Sequence, residues 1–480
     1  VKIVKLEQNY RSTQYIVNAA NSIISNNKDQ LDKKVWTSND LGDKIKVFRA
    51  MTDRDEAQTV AFDIQQIKYD TQSINNDFVV LYRTNAQSRS MEEALRKSGI
   101  PYRIYGGLSF YQRKEVKDMM AYFRLSVNGR DEEALRRVIN YPRRGIGNSS
   151  IDRMTIASKE QEKSLWHIIE NILVEPFGLN SGSCNKVDNF SVLIKTFQLM
   201  QKEKNAYEVA THIAKHSGIL RECQLDKTPE GISRYENLQE LLNGIKDFVN
   251  QENDKPEEQR NTSLSYYIEE IALLTDADSN LDDNADHVSL MTIHQSKGLE
   301  YPYVYIVGLE ENLFPSQMSM SSRADLEEER RLFYVALTRA QKKATLSYAL
   351  IRYRWGNTID CEPSRFIEEI DEKYLDTESI KVRSPHKTDN SNVKQETRYS
   401  FKIKKKVAQL NQKKEPPFIP VNFKKVKPNS PLSIKEDNNY STGLKVQHDR
   451  FGIGVIFKVE GNGANKKISV NFTDVGEKTL

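Results

Sequence analysis

The chain has 480 residues, of which 38% are hydrophobic and 29% are charged, and this composition is typical of packed globular domains. Its length predicts about three domains, and no apolar segment approaches the roughly 20 residues that cross a membrane, which excludes an integral membrane protein. With 71 basic and 67 acidic residues the net charge is +4, so the total charge does not by itself indicate a polyanionic partner. The three cysteines, Cys184, Cys223 and Cys361, have no metal-ligand spacing, and they predict a cytoplasmic protein with no metal site.

Short apolar strands alternate with amphipathic helices at the start of the chain. The predicted strands are Ile45–Arg49, Phe78–Arg83 and Pro101–Gly106, and the predicted helices are Arg54–Lys68, Gln87–Lys97 and Arg113–Leu125. Alternating strands and helices indicate right-handed βαβ units, which build a parallel sheet. The start of the chain is therefore predicted to have an α/β fold.

The pattern then becomes helical from Glu132 to about Leu274, with polar connectors expected near Asn180–Asn185 and 251–262. Strand patterns return beyond this block. The later strands are predicted at Val288–Ile293, Tyr303–Val307 and Ala344–Leu350, and a charged helix is predicted at Asp325–Leu337. The helical block thus interrupts an α/β pattern.

These patterns divide the chain into regions. We predict one parallel-sheet domain built from residues 1–127 and 286–373, with an all-helical insertion at 128–285. Residues 374–440 are rich in lysine, asparagine, serine and proline and poor in periodic apolar residues, which predicts a flexible basic linker. Alternating apolar residues and closely spaced glycines at 441–480 predict a small β-barrel that ends abruptly.

The first chemical motif is the segment Leu6–Thr13, LEQNYRST, which begins a helix and carries Tyr10 and Arg11. The planar guanidinium of Arg11 is suited to bidentate contact with a phosphate, and the ring of Tyr10 offers a flat face on which a base can stack. The alternative is a surface salt bridge beside a packed ring. The pair alone does not decide between these interpretations.

The second motif is the polar loop TIHQSKGLE at Thr292–Glu300. Ligands of α/β proteins bind at the carboxyl ends of parallel strands, so we expect this loop to face one. Lys297 can meet a phosphate, and Glu300 can accept a hydrogen bond from a ribose hydroxyl. His294 is a candidate for ligand contact, with a structural hydrogen-bonding role as the alternative.

The third motif is the sequence YVALTRA at 334–340. Arg339 lies where the predicted helix gives way to a turn before the strand Ala344–Leu350. Its side chain is therefore expected to project from the edge of the sheet towards a neighbouring domain. The charged run at 327–331 is most simply a solvated helix face.

The chain carries no phosphate-cradling loop to accompany these motifs. No segment matches G-x-x-x-x-G-K-[ST], the loop that holds the phosphates of a nucleoside triphosphate. The chain also begins at Val1 without a methionine. We therefore expect a fragment whose missing N-terminal part carries this loop and holds most of the ATP and Mg²⁺.

Together, the three motifs resemble motifs IV, V and VI of superfamily 1 DNA helicases of the UvrD, PcrA and Rep type. The resemblance covers nearly the whole chain, and it implies that the sheet domain is the RecA-like domain 2A and the insertion is domain 2B. It implies base stacking by Tyr10, catalytic γ-phosphate contacts by Arg11 and Arg339, and ATP ribose contact by Glu300. The implied function is that of an ATP-dependent 3′ to 5′ DNA helicase or translocase in DNA repair or replication.

The resemblance also implies contacts with single-stranded DNA. These are expected at Thr292 and His294, and around Gly106, Gly107 and Phe110.

A second DNA site is expected in the insertion, at the Gly-Ile-Gly turn within 140–150. Successive backbone N–H groups in such a turn can bind phosphates without reading sequence, and the segment resembles the helix-hairpin-helix-like element with which domain 2B grips duplex DNA. The residues expected to contact DNA are Arg143, Arg144, Gly145, Gly147 and Ser149. The alternative is an ordinary interhelical turn with solvated arginines.

The C-terminal segment, VQHDRFGIG at 446–454, resembles the Tudor-like module of PcrA and UvrD proteins, which implies contact with RNA polymerase or repair proteins. A nuclease-fused relative of the RecB or AddA type would need a carboxylate-rich domain where this chain has its lysine-rich linker. A non-enzymatic DNA-binding protein remains the alternative for the isolated chain, which is expected not to hydrolyse ATP alone.

Overall fold

The computed structural model describes residues 5–28, 33–276, 285–354, 357–376, 423–425, 442, 445–448, 452–460, 467–472 and 476–479. These residues fall into two compact units, one within 1–387 and the other within 388–480. Most of the linker predicted at 374–440 lies outside the described residues.

The first unit contains both helices and strands. In chain order its helices are α1 (Gln14–Ile24), α2 (Asp53–Thr71), α3 (Ser88–Lys97), α4 (Lys114–Val127), α5 (Glu132–Val138), α6 (Asn148–Glu160), α7 (Leu165–Glu170), α8 (Ser181–Met200), α9 (Ala206–His216), α10 (Ile219–Leu225), α11 (Pro229–Asn253), α12 (Leu264–Asp276), α13 (Arg323–Leu337) and α14 (Arg365–Glu368). Its strands are β1 (Ile45–Thr52), β2 (Phe78–Tyr82), β3 (Tyr102–Ile104), β4 (Val288–Thr292), β5 (Tyr301–Ile306), β6 (Ala340–Arg354), β7 (Asn357–Asp360) and β8 (Leu375–Asp376).

One sheet organises this unit. Its strand order is β3-β4-β2-β5-β6-β1-β8, and every neighbouring pair in that order is parallel, whereas β7 pairs antiparallel with β6. Strand β4 follows the insertion helices in sequence and lies between β3 and β2, so the chain returns to the sheet that it left. The predicted α/β fold with a helical insertion is confirmed.

Helices cover both faces of the sheet. Val79 and Leu81 of β2 pack in the same core as α1 and α13, and Phe78, Val80 and Tyr82 pack on the other face with α2 and α3. Because successive side chains of a strand point to opposite faces, covering both faces buries all of β2. This explains why the strand reads as an unbroken apolar run.

The helices from α4 to α12 build a separate hydrophobic core. It includes Met119 and Phe123 of α4, Phe190 of α8 and Leu241 of α11. The domain prediction had placed α4 with the sheet, since it ended the first sheet segment at residue 127. In the structure the apolar face of α4 packs among the insertion helices, because the last strand before the insertion has already ended with β3.

A buried ion-pair network joins α3, beside the sheet, to α11 of the insertion. Arg89 is 2% exposed, donates from Nε to Glu240 Oε1 at 2.7 Å and lies 3.5 Å from Asp247 Oδ2. Glu93 and Asp53 face the same guanidinium at 3.1 and 3.9 Å. Burial raises the pKa of Asp247 to about 7, since four carboxylates share one arginine whose attraction only partly offsets the loss of water.

Helix α8 begins inside a segment that was predicted to be a connector, near Asn180–Asn185. Its first residue is Ser181, because the side chain of Asn180 accepts a hydrogen bond from the N–H of Ser183 at 2.8 Å and caps the helix. The connector prediction was wrong because small polar residues favour both turns and helix N-termini.

The described part of the second unit is an antiparallel sheet of order β13-β12-β11-β10-β9. Its strands are β9 (Phe423–Lys425), β10 (Lys445–His448), β11 (Gly452–Glu460), β12 (Lys467–Phe472) and β13 (Gly476–Thr479). Ile456, Val470 and Phe472 are buried in it. The small β module expected at 441–480 is thus present, and β9 is added to it from within the predicted linker.

Candidate functional site

Three segments that are far apart in sequence meet at one edge of the parallel sheet. Arg11 donates from Nε to Glu300 Oε2 at 2.5 Å and from Nη1 to the carbonyl of Thr338 at 3.3 Å. Arg339 follows Thr338 directly. The structure therefore brings Arg11, Glu300 and Arg339 together in one charged group, which we name the arginine cluster.

A turn held by Asn9 fixes the backbone of Arg11. The Oδ1 atom of Asn9 accepts hydrogen bonds from the N–H groups of Arg11 and Ser12 at 2.8 and 2.9 Å. Ser12 is fully buried, and its Oγ donates to the carbonyl of Ala340 at 2.7 Å. The residue next to Arg11 is therefore hydrogen-bonded to Ala340, which begins β6 and directly follows Arg339.

The ring of Tyr10 lies open beside the arginine cluster. It is 76% exposed, and its hydroxyl donates to Gln8 Oε1 at 2.8 Å. The interpretation as a surface salt bridge with a packed ring is therefore right for the ion pair of Arg11 and wrong for the ring. An exposed ring is the arrangement that base stacking requires.

The guanidinium of Arg339 is held at the C-terminal end of α13. It donates from Nε to the carbonyl of Val335 and from Nη1 to the carbonyl of Leu299, each at 3.0 Å. Burial, together with the nearby charge of Arg11, lowers the pKa of Arg339. Thr338 and Arg339 form the predicted turn after α13, although strand β6 begins at Ala340, four residues earlier than predicted.

Glu300 lies at the amino end of the strand that follows it, whereas the loop that contains Glu300 was expected to face a ligand at the carboxyl ends of the strands. Strand β5 begins at Tyr301 and β6 begins at Ala340, so the arginine cluster occupies the edge where these strands start. The hydrogen bond and the positive charge of Arg11 lower the pKa of Glu300, which keeps its carboxylate ionised at neutral pH.

The path of the connection between β4 and β5 explains why Glu300 lies at the amino ends of the strands. Thr292 is level with Tyr82 at the end of β2, whereas Tyr303 is level with Phe78 at its start. Residues 293–300, which we name the crossing segment, therefore run from one edge of the sheet to the other. They start at the edge where the parallel strands end, the carboxyl-end edge, and reach the edge where these strands begin, the amino-end edge. A series of turns, with Gly298 at φ +93°, fills this path where a helix would usually stand.

The residues predicted to contact single-stranded DNA lie at the carboxyl-end edge. Thr292 ends β4, and the neighbouring strand β3 ends at Ile104, just before Gly106 and Gly107. His294 and both glycines are exposed there. Four of the five predicted contacts are thus close together on one surface.

Phe110 is the exception. Its side chain is 0% exposed, lies 5.2 Å from the Tyr111 ring in an edge-on contact, and belongs to the core of the insertion. Its N–H donates to Glu92 Oε1 at 3.1 Å. The prediction of a DNA contact by this side chain is wrong, because a fully buried ring cannot reach an external ligand.

The imidazole of His294 is neutral at about pH 7. Partial burial of the ring and the positive charge of Arg83 lower the pKa of His294. Arg83 follows β2 and pairs with Glu329 of α13, with Nη2 2.7 Å from Oε1. His294 therefore offers hydrogen bonds and no charge to a ligand at neutral pH.

The predicted duplex contacts of the insertion lie in the loop between α5 and α6. Arg143, Gly145, Gly147 and Ser149 are exposed, and Gly145 adopts φ +74°. Gly147 is the N-cap of α6, so the first N–H groups of a 13-residue helix open beside Ser149. This surface combines free backbone donors with one exposed arginine.

Arg144 does not belong to that surface. Its guanidinium donates to the carbonyls of Val138, Tyr141 and Pro142 at 3.0 to 3.2 Å, and to that of Ser217 at 2.9 Å. It also lies 5.4 Å from the centre of the Phe190 ring. The prediction of a DNA contact by Arg144 is wrong, because its donors close the loop onto the insertion core.

Two further expectations concern metal ions and membranes. Within the described residues, no group of three or more His, Cys, Asp or Glu side chains is placed to hold a metal ion. In the same part of the chain, no helix has both the length and the apolar character needed to cross a membrane. Cys184 and Cys223 are buried free thiols, and they form no disulfide bond with each other.

Sequence reasoning missed residues that organise these surfaces. Gln341 donates to Glu300 Oε1 at 3.0 Å, and Gln295 donates to the carbonyl of Gly106 at 2.7 Å. Neither has a local signal, because each partner is distant in sequence. Asn9 had one, since asparagine next to a helix start commonly holds a turn.

Comparison with known families now gives this geometry a context. The family model of the UvrD-like helicase C-terminal domain matches residues 4–350 of the chain. The chain belongs to the UvrD-like helicase family. A second family model, the PcrA/UvrD tudor domain, matches residues 442–480, which contain strands β10 to β13 of the second unit.

Curated relatives agree along the whole chain. The chain is 36% identical to the ATP-dependent DNA helicase PcrA of Leuconostoc citreum over 478 residues, which is 99% of this chain and 61% of that protein. It is 35% identical to DNA helicase II of Escherichia coli strain K12, covering 99% of this chain and 60% of the relative. It is 34% identical to the ATP-dependent DNA helicase PcrA of Bacillus subtilis strain 168, and the match covers 100% of this chain and 61% of that protein. The chain thus spans about three fifths of the length of these relatives.

Proposed function

We propose that this chain forms the RecA-like domain 2A, the helical domain 2B and the tudor domain of an ATP-dependent DNA helicase. The observation that carries the proposal is the arginine cluster, in which Arg11, Glu300 and Arg339 meet at one edge of the parallel sheet. Residues 1–127 and 286–373 are assigned to domain 2A, although α4, at the end of the first of these segments, packs in the core of the insertion. Residues 128–285 are assigned to domain 2B. The curated relatives are named as DNA helicases, which supports this assignment.

In the proposed mechanism, the arginine cluster meets a nucleotide that is held mainly by another domain. The sequence contains no glycine-rich loop with the lysine and hydroxyl that bind the β- and γ-phosphates and Mg²⁺. The adenine stacks on the exposed ring of Tyr10, and Glu300 accepts a hydrogen bond from the ribose. Arg11 and Arg339 stabilise the charge that develops on the γ-phosphate, an effect worth about 10³-fold or more in rate.

Binding of ATP then closes two domains over the cluster, and hydrolysis releases them. Single-stranded DNA lies across the opposite edge of the sheet, at Thr292, His294, Gly106 and Gly107. Duplex DNA contacts the loop between α5 and α6. The cycle moves the protein 3′ to 5′ along one strand and separates the duplex ahead of it.

A second candidate function is a DNA-binding protein without enzymatic activity. The absence of a phosphate-cradling loop from the sequence favours it for the chain alone. It shares the DNA surfaces of the first proposal but gives the arginine cluster no role. The two candidates therefore differ in what happens when a nucleotide-holding domain is supplied.

The test is to join the chain to the part of the Leuconostoc citreum PcrA helicase that it does not match, giving the joined protein. We expect DNA-stimulated ATP hydrolysis by the joined protein and none by the chain alone. Robust hydrolysis by the chain alone contradicts the division of labour. A folded joined protein that binds DNA without hydrolysing ATP favours the second candidate.

The tudor domain and the cellular role complete the proposal. The antiparallel sheet of the second unit is proposed to bind RNA polymerase or DNA repair proteins, and the helicase is proposed to act in DNA repair or replication. Because its proposed substrate is chromosomal DNA, we place it in the cytoplasm of a bacterial cell. Pull-down with the isolated second unit, compared with an Ile456→Asp variant that disrupts its buried core, tests the protein contact.

A further inference from the structure

Gln295 connects two loops that follow neighbouring strands. Its Nε2 donates to the carbonyl of Gly106 at 2.7 Å, and its Oε1 accepts from the N–H of Thr292 at 3.0 Å. Gly106 comes two residues after the end of β3, and Thr292 is the last residue of β4. Both ends of one amide therefore hold the two loops together.

The backbone at Gly106 is shaped for this contact. It has φ +66°, a conformation that side chains disfavour, and a Cβ placed there would lie 2.1 Å from Nε2 of Gln295. Only a glycine leaves the amide of Gln295 room to reach the carbonyl. The glycine and the glutamine thus form a matched pair, although 189 positions separate them.

The surroundings of this pair show what it organises. The last sheet hydrogen bond on this side of β3 runs from the N–H of Tyr105 to the carbonyl of Leu290 at 2.9 Å. Gly106 and Gly107 follow it, and both are exposed. Two consecutive glycines have wide backbone freedom, so the contact with Gln295 restricts a loop that the sheet does not hold.

We propose that Gln295 is a positioning residue for the binding of single-stranded DNA. Its side-chain amide holds the loop of Gly106 and Gly107 against the end of β4, and so fixes the surface that the DNA contacts. This inference rests on the proposed function. Gln295 acts through the loop and through Thr292, because its Nε2 holds the carbonyl of Gly106 and its Oε1 holds the N–H of Thr292. Pre-ordering the loop lowers the entropy that DNA binding costs.

The experiment measures Kd of the 480-residue chain for a fluorescent single-stranded oligonucleotide and for a blunt duplex, by anisotropy. The test variant is Gln295→Met, which keeps the length and the zero charge but removes both hydrogen bonds. We expect its Kd for single-stranded DNA to rise about fivefold to tenfold, the effect of one to two net hydrogen bonds. Its Kd for duplex DNA and its thermal midpoint are expected to stay within error, because the loop between α5 and α6 is untouched.

The matched control is Gln66→Met, which makes the same change at an exposed site on the outer face of α2. It is expected to leave both Kd values unchanged. An equal loss of affinity for single-stranded and duplex DNA by Gln295→Met indicates a general structural role and overturns the inference. Unchanged binding by Gln295→Met overturns it as well, whereas no DNA binding by the wild-type chain contradicts the proposed function first.

A double-mutant cycle tests the pairing itself. Gly106→Ala is expected to weaken single-stranded DNA binding by displacing the amide of Gln295. If both residues act through the hydrogen bond between them, the double variant binds single-stranded DNA about as weakly as the single variant with the lower affinity. Additive losses show that the two positions act separately, and they contradict the proposed role of Gln295.

Discussion

Arg11 and Glu300 form an ion pair, with Nε and Oε2 2.5 Å apart, although they are 289 positions apart in sequence. The pair sets the orientation of the guanidinium, because Arg11 also donates to the carbonyl of Thr338. A lysine presents all its donors from one nitrogen, so it cannot reproduce the two separate donor positions of the planar guanidinium. This ion pair therefore connects the first motif to the second and the third.

The first prediction concerns this pair in the joined protein. Both Arg11→Ala and Arg11→Lys are expected to lower kcat for ATP by about 100-fold or more, because the geometry of the fork is needed as well as the charge. Glu300→Ala is expected mainly to raise KM for ATP. Steady-state ATPase assays measure both values. Arg331→Ala, on the outer part of α13, is the control, and full activity of Arg11→Lys would contradict the orientation argument.

A second prediction concerns Arg339. Arg339→Ala in the joined protein is expected to reduce turnover by about 10³-fold, as for other arginines that stabilise phosphoryl transfer. The Kd for single-stranded DNA is expected to change by less than about twofold, because the arginine cluster and the proposed DNA surface lie at opposite edges of the sheet. Unchanged turnover would show that Arg339 only caps α13.

Arg143 and Arg144 are expected to behave differently despite being neighbours. Arg143→Ala should weaken duplex binding by the chain and reduce its salt dependence by about one counterion, with no loss of stability. Arg144→Ala should lower the free energy of unfolding by about 2 kcal/mol or more, because it leaves partly buried carbonyls without donors. Salt titrations and urea melts separate the two effects. A destabilised Arg143→Ala would contradict the assignment.

The pH dependence of single-stranded DNA binding is expected to depend on His294. Its pKa lies below the ordinary value of 6.5, so the ring gains a positive charge only in acid. Wild-type affinity should therefore rise as the pH falls below about 6.5, since protonation adds a cation beside the phosphates. His294→Gln should lack this rise while binding with similar affinity at the higher pH. An equal rise in the variant would assign the effect to other groups.

The raised pKa of Asp247 predicts that the free energy of unfolding depends on pH, because this residue joins the insertion to the sheet domain. Its folded-state pKa of about 7 lies above the ordinary value of 3.8, so the folded state binds the proton more tightly. Stability is then highest below the lower value and falls as the pH rises through the higher one. Burial also raises the pKa of Glu240, which acts in the same direction, whereas Arg89 stays charged throughout.

Urea melts at about pH 5 and pH 8 measure this effect. We expect the wild-type chain to lose about 2–3 kcal/mol of unfolding free energy over that range, and Asp247→Asn to lose clearly less. Asp152→Asn, at an exposed position on α6, is the control. If Asp247→Asn kept the full wild-type loss, the carboxylate of Asp247 would not be the titrating group.

The sequence predicted the elements of the sheet because buried parallel strands read as apolar runs bounded by helices. It also predicted that Arg11, Glu300 and Arg339 act together. It misjudged Arg144 and Phe110, since an exposed arginine and one that closes a loop look identical in sequence. Whether a side chain points outward or inward depends on packing partners that are distant in the chain.

The crossing segment imposes a constraint on length. Its ends are separated by roughly 20 Å along the strands and about 10 Å across one intervening strand, as strand spacing and register require. Eight residues reach at most about 30 Å even when fully extended, and the turns at 293–298 use up most of that reserve. A deletion in this segment would therefore pull the arginine cluster and the proposed DNA surface out of alignment.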